Sequence, residues 1–158
     1  MNKHTLTTLV LTAALSACTS FAPNATLTGQ PREAVIQAMG QPHSVVSEGQ
    51  GQRMVYPRGP FGKGTFFVHL DAAGRVTHWE DVLNVANFHR ITPGMTTAEV
   101  ENMIGPSLSK WGVWQGGQTI WDYPFHNSIC QMFQVAVTPE GRVASAGYGY
   151  APECGSVW

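Results

Sequence analysis

The sequence repeats itself. Shifted by 65 positions, Gly29 falls on Gly94, Val35 on Val100, Ala38 on Met103, Met39 on Ile104 and Gly40 on Gly105. Shifted by 67, Tyr56-Pro57 falls on Tyr123-Pro124, Phe66, Val68 and Leu70 fall on Phe133, Val135 and Val137, and Gly74-Arg75-Val76 falls on Gly141-Arg142-Val143. Each coincidence is weak alone. The ordered set, with one two-residue gap, identifies two copies of a single unit, and a unit that recurs must fold the same way twice.

The second copy is the better written. In "ITPGMTTAEVENMIGP" Thr96 is placed to accept the N–H of Glu99, and Glu99 to reach back to Thr96, which is a capping box. Met95 and Val100 are spaced as a hydrophobic staple, and Val100, Met103 and Ile104 share one helical face. Gly105 and Pro106 end the run. The pattern predicts short helices over about 31–39 and 97–104. Two or three turns do not hold alone in water, so each must lie on a partner.

After each helix comes a predicted strand, about 51–57 and 117–125, in which Thr119, Trp121, Tyr123 and Phe125 alternate onto one face. A hairpin follows in each copy, turning at Asp-Ala-Ala-Gly (71–74) and Thr-Pro-Glu-Gly (138–141). If Leu70 opposes Arg75, then Phe66, Val68, Leu70 and Trp79 share the core face, and Phe67, His69, Val76 and His78 the other. The expected fold class is α+β: two tandem units, 29–88 and 89–158, each with short helices packed on a three-stranded antiparallel sheet. One unit alone buries little apolar surface for its length, and two sharing a sheet bury more.

The N-terminus carries secretion grammar. Lys3 precedes an apolar run from Leu6 to Leu15, too short to span a bilayer, and small residues lead to Cys18. Leu15-Ser16-Ala17-Cys18 resembles the lipobox of bacterial lipoproteins. That resemblance implies a signal peptide over 1–17, lipidation of Cys18, and a tether over 18–28. Thr19, in place of Asp, favours the outer membrane. An ordinary secretory signal beside a chance cysteine is the alternative. With Cys18 lipidated, Cys130 and Cys154 remain as an even pair in an oxidising compartment, which predicts a disulfide against the alternative of two buried thiols.

The second copy also resembles the BamE (SmpA/OmlA) family of outer-membrane lipoproteins. The residues are Ile91, Gly94-Met95-Thr96, Val100, Gly105-Pro106, the aromatic strand Trp121-Asp122-Tyr123-Pro124-Phe125, and Gly141-Arg142-Val143. The match runs well over 91–149 and loosely over 29–83. The tandem arrangement is similar in architecture to the β-lactamase inhibitor protein. Departures are Ile104-Gly105-Pro106, where a spacer residue is missing (Gly40-Gln41-Pro42 keeps it), Gln30-Pro31 in place of Met-Thr, and a tether without the expected arginine- and proline-containing segment. The resemblance implies a lipid-anchored module on the periplasmic face of the outer membrane, serving envelope or outer-membrane protein assembly.

The chemistry read from the residues agrees with a protein that is not an enzyme. No G-x-S-x-G, H-E-x-x-H, P-loop or G-x-G-x-x-G is present. Only 12% of the 158 residues are charged and the net charge is −1, so no basic stripe invites nucleic acid. No catalytic residue, cofactor or metal is expected. His69 and His78, placed diagonally on one hairpin face, lack a third ligand nearby and leave a metal-binding or enzymatic envelope protein as a further alternative. The binding expectation rests on aromatics: Trp111 and Trp114 in the Gly-rich "SLSKWGVWQGGQ", with Trp121 and Tyr123 beside them, form a candidate protein-binding surface for an envelope partner of unknown identity. An inhibitor of a periplasmic or foreign enzyme is the rival reading.

Overall fold

The structure, a computed structural model, describes residues 22–59, 62–113 and 117–150. A single 3-10 turn, Ala25–Leu27, is capped by the side chain of Asn24. Helix α1 (Arg32–Met39) leads into strands β1 (Ser44–Glu48), β2 (Gly51–Pro57), β3 (Thr65–Leu70) and β4 (Val76–Asp81). A four-residue helix α2 (Val85–Phe88) then joins helix α3 (Thr97–Ile104), followed by β5 (Ser109–Gly112), β6 (Thr119–Pro124), β7 (Gln131–Val137) and β8 (Val143–Tyr150). Strands pair with their sequence neighbours, all antiparallel, in two sheets ordered β1-β2-β3-β4 and β5-β6-β7-β8. Among the described residues no helix is long and apolar enough to cross a membrane.

This overturns the α+β expectation of helices on three-stranded sheets. The described residues are mostly β: they hold eight antiparallel strands in two four-stranded sheets, with only small helices. The unforeseen strands are β1 and β5. Both are edge strands. All five residues of β1 are exposed, and β5 has one half-buried residue followed by three exposed ones. A strand with no buried face carries no period-2 alternation, so no periodicity in "SVVSE" or "SKWG" marks it. Leu27, inside the expected tether, is buried in the core.

The repeated residues make repeated bonds. The Gly29 N–H donates to the Val76 carbonyl and the Gly94 N–H to that of Val143, both at 2.8 Å. Arg75 Nη1 donates to the Gly29 carbonyl (3.1 Å) and Arg142 Nη1 to that of Gly94 (2.9 Å). Each hairpin carries a bulge at the same place, after His69 and after Ala136. The bulge puts Val76 opposite Leu70 and takes it off the His69 face, where the straight register had placed it.

Two apolar clusters result. One lies between α1 and the first sheet, built on Val35, Met39, Met54, Tyr56, Phe66 and Val68. The other is larger and mixed. Around Val100, Ile104, Tyr123, Phe133 and Val135 it gathers Val55 and Phe67 from the opposite face of the first sheet, and Phe88 from α2. The first sheet is therefore covered on both faces, and α3 lies beside its second one.

Candidate functional site: the cleft between the first sheet and helix α3

Covering that second face brings Arg53 inside. Period 2 along β2 sends Met54 and Tyr56 towards α1, and Arg53 and Val55 towards α3. Arg53 is 7% exposed. Its Nη1 donates to the Asn102 carbonyl (3.2 Å) and its Nη2 to the Asn102 side-chain oxygen. The guanidinium stands 4.3 Å over the Phe67 ring centroid, with a Glu48 carboxylate oxygen 3.6 Å away. A planar, fully charged fork suits this mixture of ring face, carbonyl and carboxylate. Arg53 thus ties the first sheet to α3 where the two leave a cleft.

The cleft has two lobes that share Arg53. One, of about 630 Å³, is bounded by Ser44 and Val46 of β1 and by Ala98, Glu101 and Pro106 on the α3 side. The other, of about 410 Å³, runs past Glu48, Phe67, His69 and Glu80 towards Arg90 and Met103. His69, which lines the second lobe, and His78 are direct cross-strand partners, not the diagonal pair expected. Their rings stack at 4.1 Å, 5° from parallel. His69 Nδ1 lies 2.6 Å from a Glu48 carboxylate oxygen, and its Nε2 lies 3.4 Å from one of Glu80.

Two of the residues named for the expected aromatic surface are buried. Trp121 is 7% exposed and Tyr123 1%, both in the larger cluster, so neither is a surface anchor. Lys110 Nζ stands 3.7 Å over the Trp121 ring and shields it further. The Tyr123 hydroxyl donates to the Gly105 carbonyl (3.3 Å), and burial, with Glu101 adding to it, pushes its pKa far upward. Tyr56 repeats the bond to Gly40 (3.1 Å), with its pKa raised to about 12 by burial against the opposing pull of Arg58 and Arg32. These tyrosines clamp the ends of the helices. Trp111, on β5, is 48% exposed and donates Nε1–H to the buried Asp122 (2.9 Å). Asp122 also accepts from Ser109 and Gln134.

Cys130 is disulfide-bonded and holds a positive φ of 57°, unusual for a residue with a side chain. Its expected partner Cys154, the lipidation site Cys18 and Trp114 lie outside the described residues. What sequence reasoning missed is Arg53, Glu48 and the bare strand β1. The one signal was the β-branched pair Val45-Val46, too short a run to stand out.

No protein-family model matches the chain, and no curated protein does. Similar solved structures include an extracellular protein containing an SCP domain from Bacillus anthracis str. Ames. It is 10% identical with a TM-score of 0.33, and the similarity covers 98% of this chain and 50% of that one. Another is a DUF4309 family protein (YjgB) from Bacillus subtilis subsp. subtilis str. 168, at 12% identity and a TM-score of 0.30, covering 80% of this chain and 83% of that one. The chain thus spans half the length of the first. Neither is a BamE protein, and likeness at this level carries no argument about fold or function.

Proposed function

We propose that the chain is a lipid-anchored, non-enzymatic protein-binding module of the periplasmic face of the outer membrane, and that it takes its partner by strand addition along β1. The observation that supports this reading is the unguarded outer edge of β1. Among the described residues no strand pairs with that side. Folded proteins blunt such edges with charges, Pro, bulges or extreme shortness. The other three edges have these devices: β4 and β8 belong to bulged hairpins, and β5 is four residues long and holds Lys110. Strand β1 keeps an unbroken register, has no Pro or Lys, engages its one charge, Glu48, with Arg53 and His69, and exposes Val45 and Val46. An extended partner segment laid on it would gain backbone hydrogen bonds and point alternate side chains into the lobe below Val46. The BamE resemblance supplies the proposed setting, envelope protein assembly, and the Cys18 lipobox the proposed anchor.

A photo-crosslinker at Ser47 in the native envelope tests this. It should trap a protein partner, and the purified partner should slow amide exchange at alternate positions of β1. Val45→Lys with Val46→Lys should cut the adduct at least tenfold while Cys18→Ser releases the chain from the membrane fraction. An adduct undiminished by the lysines, or unchanged β1 exchange, would sink strand addition. A Cys18→Ser chain that still fractionates with the outer membrane in high salt, at the mature size, would sink the anchor.

A further inference from the structure

We propose that His69, His78 and Glu80 form a binding site for a divalent transition-metal ion of the zinc class, with Glu48 orienting His69. Each of the three offers a ligand atom, and these atoms all lie within 4.8 Å of one another. Two ligands on one tetrahedral zinc stand about 3.4 Å apart, and an imidazole binds through its in-plane lone pair, so His78 has to turn out of its stack on His69 while Glu80 closes in. His78 and Glu80 are exposed, and His78 gives up its contact with Thr77 Oγ1 (3.1 Å) to turn, whereas His69 is held in place. The arrangement follows from the β-ladder. His69 and His78 are opposed across β3 and β4, and Glu80, two residues beyond His78, projects on the same face.

The state of His69 is the strongest argument. Nδ1 at 2.6 Å from the Glu48 carboxylate acts as the donor. In the neutral ring the remaining nitrogen, Nε2, then presents a lone pair. It is buried, has no hydrogen-bond partner, and faces a Glu80 oxygen at 3.4 Å. Two acceptors face to face repel unless a cation lies between them. A carboxylate on one imidazole nitrogen with the other nitrogen left for an ion is the usual support for a metal-bound histidine, fixing tautomer and ring direction. Glu48 serves as the support and not as a ligand, because its other oxygen lies 3.6 Å from Arg53. Two imidazoles and one carboxylate suit zinc and its neighbours in the first transition row, and leave a coordination position open to the cleft. A proton on Nε2, making His69 an imidazolium bridge between Glu48 and Glu80, is the competing arrangement.

The experiment uses the full chain, purified in detergent without a polyhistidine tag and titrated with Zn²⁺ alone at pH 7.5. One saturable site with a micromolar or tighter Kd is expected, with Co²⁺ giving the intense visible absorption of a tetrahedral site. His78→Ala and Glu80→Gln, both at exposed positions, should each weaken binding more than tenfold. Glu48→Gln should weaken it about 10- to 100-fold at unchanged stoichiometry, and His126→Ala should leave it unchanged. Thermal melts establish that each variant is folded. No saturable binding, or binding that survives His78→Ala in a folded protein, overturns the site and leaves the imidazolium bridge as the reason for the cluster.

Discussion

Gly40 and Gly105 end their helices with φ of 82° and 77° and nearly extended ψ, a combination that only glycine adopts at low cost. Each carbonyl then accepts a tyrosine hydroxyl from the following sheet. The two sites differ in their neighbours. A Cβ on Gly40 would meet nothing within 4 Å, whereas one on Gly105 would stand 2.6 Å from the Thr65 methyl carbon of the first sheet. Gly40→Ala should therefore cost about 1–3 kcal/mol of backbone strain, and Gly105→Ala distinctly more. Urea unfolding of the two variants decides it. Equal losses would mean that Thr65 yields without cost, and that the tight approach between the halves is unimportant.

Helices α1 and α3 occupy equivalent places and start differently. Thr96 accepts the Glu99 N–H (3.2 Å) while Glu99 accepts the Thr96 N–H (2.7 Å), so the expected capping box is present. Helix α1 follows Pro31, which supplies no side-chain cap. Thr96→Ala should destabilise the protein by about 1 kcal/mol. The Thr96 N–H, followed by the Thr96 hydroxyl, holds the Glu99 carboxyl below its ordinary value of 4.5. A depressed folded-state value stabilises above the unfolded one and ceases to do so as pH falls through the folded one. The melting-temperature gap between wild type and Thr96→Ala should thus be full at pH 7 and shrink on acidification below about 4.5. A gap that widened in acid would remove Glu99 from the account. The other element-scale lesson concerns β1 and β5, whose exposed side chains left no periodic trace.

At the scale of the molecule, the larger cluster joins the halves. Val55 and Phe67 come from the first sheet, Phe133 and Val135 from the second, and Phe88 from the short helix between them. Phe88 stacks on Phe133 (4.2 Å, 8°) and meets Phe125 edge-on (5.1 Å). Phe88→Ala should cost about 3–5 kcal/mol. The loss should appear equally at both sheets, because neither keeps its full core without the other. Amide exchange at β3 and at β7 is the measurement. A large loss at β7 with β3 unchanged would show two independently stable halves.

The repeat, both longer helices, the caps at Thr96 and Gly105, the central strand of each unit and both hairpins were readable in the chain. Each rests on local chemistry or on one apolar face with a regular period. Tertiary structure alone decided what covers the second face of the first sheet. Along "RMVY" every side chain is buried, so periodicity cannot tell which face meets α1 and which meets α3. That choice buried Arg53, opened the cleft and, with Glu48 on an unforeseen edge strand, surrounded His69 with two carboxylates. Trp121 and Tyr123 were recognisable as special aromatics but misplaced on the surface. An alternating strand shows that one face is apolar, and only the packing of the whole chain determines whether that face looks towards a partner or towards the chain itself.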